Sequence, residues 1–374
     1  MGNTRARIVM AMLVAALAAV IFGTTATPAF ANHRIVKFGV KSFGATGNGH
    51  TNDTGAFQRA VEAAHRSRYF GVVWVPRGTY AIAGVYLSSD VHVWVEPGTR
   101  IVLAGGATKN TPAFYFAKQG VYSRQSSATG WTISSSVVGY HGRFTIDLSN
   151  APTTRNHAFK FINAKRFRVA NVNIVMNNAN TMGGSPSSYV AAMTFQSSMA
   201  SRAGGPYYHP LYGRIANITV SHSPYGFGAA QITSGSRLVF RNIVSWGGIG
   251  LRFETDTPNP SRVNIVHGRG ISCFNGHAAV SFSPHTQTNY GVHMTGVHAT
   301  SCESGVRVAG GSGHFYHSSV KGLYVRGGGV AQVNNPRVSN PAIGAWLTGR
   351  SRSCVSKGSD IRYKVSFSYL RCGI

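Results

Sequence analysis

Glu254 and Asp256 stand two residues apart in the segment Gly248-Ile-Gly-Leu-Arg-Phe-Glu-Thr-Asp. Leu251 and Phe253 alternate with Arg252 and Glu254. In a β-strand alternate residues share a face, so an inward Leu251 and Phe253 turn Arg252, Glu254 and Asp256 outward. At a rise of ~3.3 Å per residue, the two acidic Cα atoms are about 6.6 Å apart. Two carboxyl groups ~6.5–9.5 Å apart leave room for a water between base and sugar, which suits inverting cleavage of a glycosidic bond. One group must hold a proton while the other is ionised, and like charge nearby raises one of the two pKa values.

The chain has only nine Asp and Glu among 374 residues. Asp53, Glu62, Asp90, Glu96, Asp147 and Asp360 have structural explanations as caps, turn residues or isolated surface acids. Glu303 remains as a further acidic candidate. If neighbouring coils stack on the acidic strand, Gln231 precedes Glu254 by one coil, and Ser283 and His285 lie under Glu254 and Asp256. The outward column near the acids then holds Gln231, His285 and His277, and Glu303 and Arg307 come from the next coil. Arg252, His277, Arg307 and Trp246 are the expected substrate contacts. No metal or other cofactor is expected, because hard cations want several carboxylates and the Cys do not occur as C-x-x-C.

The elements that must hold these residues are short β-rich runs. They include Val72–Val75, Val91–Val95, 215–220, 238–243, 263–266 and 292–297, separated by Gly, Ser, Asn and Pro. Arg214, Arg237, Val263 and Gly291 lie 23, 26 and 28 residues apart, the drifting period of a solenoid. The expected fold is all-β: a single-stranded right-handed parallel β-helix over residues 32–374, one domain. Asn52-Asp53-Thr54 offers an N-cap, and Ala56, Phe57, Ala60, Val61 and Ala64 form the apolar stripe of a helix that would close the open end.

Residues 1–31 read as a secretory signal peptide, with Arg5 and Arg7, an apolar run from Ile8 to Phe22, and Ala29-Phe30-Ala31 as the cleavage site. Export puts Cys273, Cys302, Cys354 and Cys372 in an oxidising compartment. We pair Cys273 with Cys302 and Cys354 with Cys372, although the sequence alone permits three connectivities. Lys and Arg number 36, for a formal net charge of +27. Such an excess calls for a polyanionic partner, and Arg suits bidentate sulfate or carboxylate recognition. Nucleic acid and membrane are not expected partners of this exported chain, and a monomer is expected.

Two segments carry a resemblance. Val40 to Val61, Val73-Trp-Val-Pro-Arg-Gly-Thr-Tyr and Val95-Glu-Pro-Gly-Thr resemble the N-terminal signature of pectin-lyase-like proteins, which implies a right-handed parallel β-helix. Gly276-His277 and Val306-Arg307-Val308 look like relics of two polygalacturonase motifs. The chain has no Asp-Asp, and Glu254-Thr255-Asp256 stands where that family has Asn-Thr-Asp, so polygalacturonase activity does not follow. Leu251 to Asp256, with a Gln one coil upstream and a His one coil downstream, is similar to the iota-carrageenases of glycoside hydrolase family 82. That resemblance implies an inverting, endo-acting hydrolase of a sulfated galactan, with Glu254 as general acid, Asp256 as general base, Gln231 and His285 supporting the site and Glu303 as a further acidic group. The alternatives are a polysaccharide lyase on a uronic-acid polymer and a non-catalytic glycan-binding β-helix.

Overall fold

A computed structural model describes residues 34–120, 130–177, 190–198, 208–255, 262–302, 304–308 and 313–326, and the backbone of Val330–Asn334, Gly358–Asp360, Val365–Ser368 and Arg371–Gly373. The signal-peptide segment, Asp256, Glu303, Cys354 and the side chain of Cys372 lie outside the described residues, so the proposed Cys354–Cys372 pair does too. The chain divides at residue 35, and the larger unit, Val36–Ile374, is a right-handed parallel β-helix. Among the described residues, no helix is long and apolar enough to cross a membrane.

Its core is built as columns, because parallel coils in register place like positions over one another. One column runs Val73, Val93, Val137, Val169, Ile215, Phe240, Gly268, Met294, Val320. A second, under the site face, runs Val85, Phe114, Phe159, Met193, Ala230, Leu251, Val280, Val306. All these residues are buried. β-Branched and aromatic side chains dominate such columns because they fill a pleated, two-sided core.

Coil length varies. Following Arg214, Val239, His267, His293 and Ser319, the steps are 25, 28, 26 and 26 residues. The markers read from the sequence need adjusting. Arg237 and Gly291 share a corner, but their corner partners are Tyr212 and Ile265, two residues from Arg214 and Val263. Another corner requires positive φ: Asn171, Asn217 and Asn242 have φ of 60, 55 and 52°, and Gly270, Gly296 and Gly322 follow them in register. Asn tolerates this conformation and Gly adopts it freely. The asparagines also bond to one another: Asn217 Nδ2 donates to Asn171 Oδ1 (2.9 Å) and Asn242 Nδ2 to Asn217 Oδ1 (3.0 Å).

The helix spans Thr54–His65 and buries Ala56, Phe57, Ala60, Val61 and Ala64, the stripe read from the sequence. It packs so closely that a Cβ on Gly71 would meet the Ala64 carbonyl at 2.3 Å. Asp53 holds the N-cap position but makes no side-chain cap bond. Its buried carboxylate instead accepts from the backbone N–H of Thr46 (2.8 Å) and Gly47 (3.3 Å), tying the preceding turn. The amide of Thr54 is satisfied by Asn52 Oδ1 at 3.1 Å.

Candidate active site

Between two inward columns runs an outward one: Tyr86, Tyr115, Lys160, Thr194, Gln231, Arg252, Ser281, Arg307. Period-two alternation turns these side chains away from the core along one strip that follows the helix axis, although Tyr115, Lys160, Thr194 and Ser281 are buried there. Glu254 lies two residues beyond Arg252 on the same face, opposite Ser283. Leu251 and Phe253 are buried, as the alternation requires.

Glu254 is the centre of a network. Arg252 Nη2 forms an ion pair with Oε1. Gln231 Nε2 donates to Oε2 at 2.5 Å, and His285 Nε2 donates to Oε1 at 3.3 Å. The Glu254 and Arg252 side chains are only 17% and 16% exposed, while His285 is 39% exposed. Arg252 is itself fixed: Nη1 donates to the Gly226 carbonyl at 2.5 Å, and the guanidinium lies 4.9 Å from the centre of the Phe227 ring. Its Nε is buried without a hydrogen-bond partner.

Burial by itself raises the Glu254 pKa. The His285 hydrogen bond, the charges of Arg252 and His285, and the Gln231 amide together outweigh it and hold the carboxyl at about 2, against an ordinary 4.5. At neutral pH the free chain therefore carries Glu254 as a carboxylate. His277 is buried, and its pKa is pushed well down by that burial and by the charges of Arg307 and Arg252. His277 is thus a neutral group close behind the site, not an exposed cation.

The sequence placed Gln231, Arg252, Glu254 and His285 together, and the structure brings these four into contact. Gln231 does not pair with Glu254 in register, however. It pairs with Arg252, 21 residues on, and reaches along the strand to the carboxylate. Arg307 joins the same column two coils after Arg252, through Ser281. Trp246 is elsewhere. It precedes the corner at Gly247 and Gly248, is 46% exposed and stacks on Phe274 at 4.5 Å.

Three groups were missed. Lys160 is buried on the outward column, where the sequence shows only a lone basic residue in a phenylalanine-rich run. Ser281 lies buried between Arg252 and Arg307 with its hydroxyl unpartnered. Asn289 clamps the strand ends on either side of Asp256: its Oδ1 accepts from Val263 N (2.9 Å) and its Nδ2 donates to Thr255 Oγ1 (2.9 Å). Cys273 and Cys302 are disulfide-bonded, as paired from the sequence, and join the corners from which Ala278–Ser283 and Ser304–Val308 depart.

A coiled β-solenoid with a shielded carboxylate on one outward column defines a pectate-lyase-like protein with a candidate catalytic face. The chain belongs to the family described as rhamnogalacturonase A/epimerase, pectate lyase-like, whose model matches residues 38–307. It is similar to an iota-carrageenase of Alteromonas macleodii, at 28% identity over 276 residues, covering 72% of this chain and 51% of the relative. It therefore spans about half the length of that relative. An iota-carrageenase of Zobellia galactanivorans is 26% identical over 377 residues, covering 89% of this chain and 72% of the relative. A solved galactose-4-sulfate–3,6-anhydrogalactose-2-sulfate galactohydrolase matches with a TM-score of 0.67 at 25% identity, over 78% of this chain and 71% of that one. Among the described residues no cluster of three His, Cys, Asp or Glu could hold a metal ion.

Proposed function

We propose that the chain is a secreted glycoside hydrolase that cleaves a sulfated galactan of the iota-carrageenan type, endo-acting and with inversion. Glu254 supplies the proton to the leaving oxygen, and Asp256 activates the water. Gln231 and His285 hold Glu254, and Arg252 and Arg307 face the anionic substrate. The observation that carries this reading is the partly buried Glu254 carboxylate, held by Gln231, Arg252 and His285 on the outward face. The two iota-carrageenase relatives agree with it, as does a chain with four times as many basic as acidic residues.

The ionised resting state of Glu254 sets a condition on the mechanism. An acid must arrive protonated. A sulfate ester is a bidentate match for a guanidinium, so a sulfated sugar in the cleft competes with Glu254 for Arg252. Opening that ion pair removes one of the interactions that hold the Glu254 pKa down, beside the His285 and Gln231 bonds that remain, and so shifts the carboxyl toward its protonated form. Substrate binding thus moves the acid toward its loaded state. Sulfate near the scissile bond then raises kcat as well as affinity, because it changes the protonation of the catalytic group.

The test is reducing-end release from iota-carrageenan, desulfated galactan, alginate and pectate. Cleavage confined to the sulfated galactan, abolished in Glu254→Gln and in Asp256→Asn, is the expected result. Full activity in either variant would overturn the assignment. So would a product absorbing near the ultraviolet edge, since only elimination leaves an unsaturated ring.

A further inference from the structure

Beyond the acidic face, the chain carries a second charged feature that the hydrolase reading does not use. Past the bend at Thr233 and Ser234, a groove of about 670 Å³ is lined by Arg166, Arg168, Arg214, Arg237, Tyr212 and His267, among others. None of the residues lining it is acidic. Arg168 and Arg214 are register partners on adjacent parallel strands, which puts their Cα atoms about 4.8 Å apart. All four arginines are exposed. Like charges directly opposite each other destabilise a sheet, so the packing of the coils does not account for this cluster.

The backbone points the same way. Arg166, Tyr212 and Arg237 stack at one corner with φ of 56, 56 and 51°. That region disfavours ordinary side chains. Further along the same corner, Gly291 takes the unstrained solution. In the coils that form the groove, the sequence instead places Arg166, Tyr212, Arg237 and Ile265 there. Three of these four, Arg166, Tyr212 and Arg237, are exposed where they line the groove.

We propose that this groove is a second binding site for the sulfated polymer, separate from the cleavage face and engaging a further stretch of the chain. The proposal rests on the sulfated-galactan reading for its ligand class. The groove belongs to the same coils as Gln231 and Arg252, so one long polymer can reach both. Its rings are already stacked: Arg237 lies 5.5 Å over Tyr212, and His267 stacks on His293 at 5.5 Å. A groove lined by four exposed guanidinium groups suits sulfate esters, which a guanidinium can bind bidentately.

The experiment measures retention of the full chain on iota-carrageenan, neutral agarose and duplex DNA across a salt series, in a Glu254→Gln background so that cleavage plays no part. The four-site variant Arg166→Ala, Arg168→Ala, Arg214→Ala, Arg237→Ala should lose roughly tenfold or more in carrageenan affinity and show a shallower salt dependence. With Glu254 restored, the same variant should cleave short oligosaccharides at the parent rate while slowing on polymer. If it loses its unfolding transition, Arg214→Glu alone replaces it, with a weakening of the same sign expected. Unchanged carrageenan retention overturns the proposal, as does a parent that is not retained. Equal or tighter retention of duplex DNA through the same arginines overturns the sulfated-sugar assignment. A chain that binds carrageenan through the groove but never cleaves it sinks the hydrolase reading and leaves the groove standing.

Discussion

Gln231 and Glu254 meet across two coils without being register partners: the amide pairs in the sheet with Arg252 and donates two residues further along, to Glu254 Oε2 at 2.5 Å. Gln231 thereby braces the carboxylate on the side away from Arg252 and His285, which both reach Oε1. Removing one hydrogen bond to a charged group costs about 1.5–3 kcal/mol. Gln231→Leu should therefore lower kcat roughly 10–100-fold, while the fold is kept because position 231 is only half-buried. Steady-state kinetics beside a denaturant curve separate the two effects. Equal losses of stability and activity would show that Gln231 only packs.

The Glu254 pKa gives a stability curve with a defined sign. The folded value of about 2 lies below the ordinary 4.5, so between these values the unfolded chain binds more protons than the folded one. The contribution is fully present above pH 4.5 and is lost as pH falls toward 2. Its size at neutral pH is of the order of 3 kcal/mol, from ~1.4 kcal/mol per pH unit. Urea curves of the parent and Glu254→Gln should differ at pH 7 and converge in acid. A gap that stays constant with pH would mean the carboxylate is not held as described.

His157 acts in a window that overlaps that of Glu254 but extends higher. Burial, then the charge of Lys160, push it down to about 3 from an ordinary 6.5, against a weaker opposing bond to the Ala191 carbonyl. It is neutral when folded and gains a proton when unfolded, so its contribution is whole above pH 6.5 and is lost as pH falls toward 3. His157→Gln should flatten the stability curve most clearly between pH 4.5 and 6.5, above the range in which Glu254 titrates. An unaltered slope would place a different group in charge of that range.

Much of the site was readable because alternation within a strand is a local property. Leu251 and Phe253 in, Arg252 and Glu254 out, follows from period two alone, and the match of Ala278–Ser283 onto 249–254 gave the correct register with Ser283 and the correct neighbourhood for His285. What depends on corners was not readable. On the site face the steps from Gln231 to Arg252 to Ser281 to Arg307 are 21, 29 and 26 residues, because the bends absorb different lengths. A constant coil length therefore misplaces Gln231 by two residues. Trp246 was lost for a related reason: the turn at Gly247 and Gly248 puts it on a different run from Glu254. The Asp53 carboxylate turned back to Thr46 and Gly47 instead of forward to the helix, a choice that no helix-start signal contains.

Asn289 ties Thr255 to Val263, on the two described stretches that flank 256–261. It is fully buried and bonds to Val263 N, Thr255 Oγ1, and the carbonyls of Gln287 and His314. Asn289→Leu keeps the volume but leaves buried donors and acceptors unpaired, at about 1–3 kcal/mol each. The expected result is a loss of several kcal/mol in unfolding free energy and a fall in kcat that persists at temperatures where the variant is folded. Asn289→Asp still accepts from Val263 N and should recover part of the loss. Equal loss in both variants would place the role in the amide nitrogen alone.

The Cys273–Cys302 disulfide closes a loop of 29 residues and joins the corners that launch the two strands after Glu254. A cross-link of that span removes unfolded-state entropy worth about 3–4 kcal/mol. Both sulfurs are buried, so the paired alanine variant also leaves a small cavity beside Gly248 and Gly276. Cys273→Ala with Cys302→Ala should lower stability by at least the entropic amount and shift the thermal midpoint downward. The effect on catalysis should be smaller, because Glu254, Arg252 and Gln231 lie on strands that neither cysteine belongs to. His285 is the exception: it follows the Ala278–Ser283 strand, whose entry corner the disulfide holds. Loss of the cross-link should therefore raise the Glu254 pKa by loosening the His285 bond, moving the acid stability window toward pH 4.5. A window unmoved by the paired substitution would show that the local turn alone positions His285.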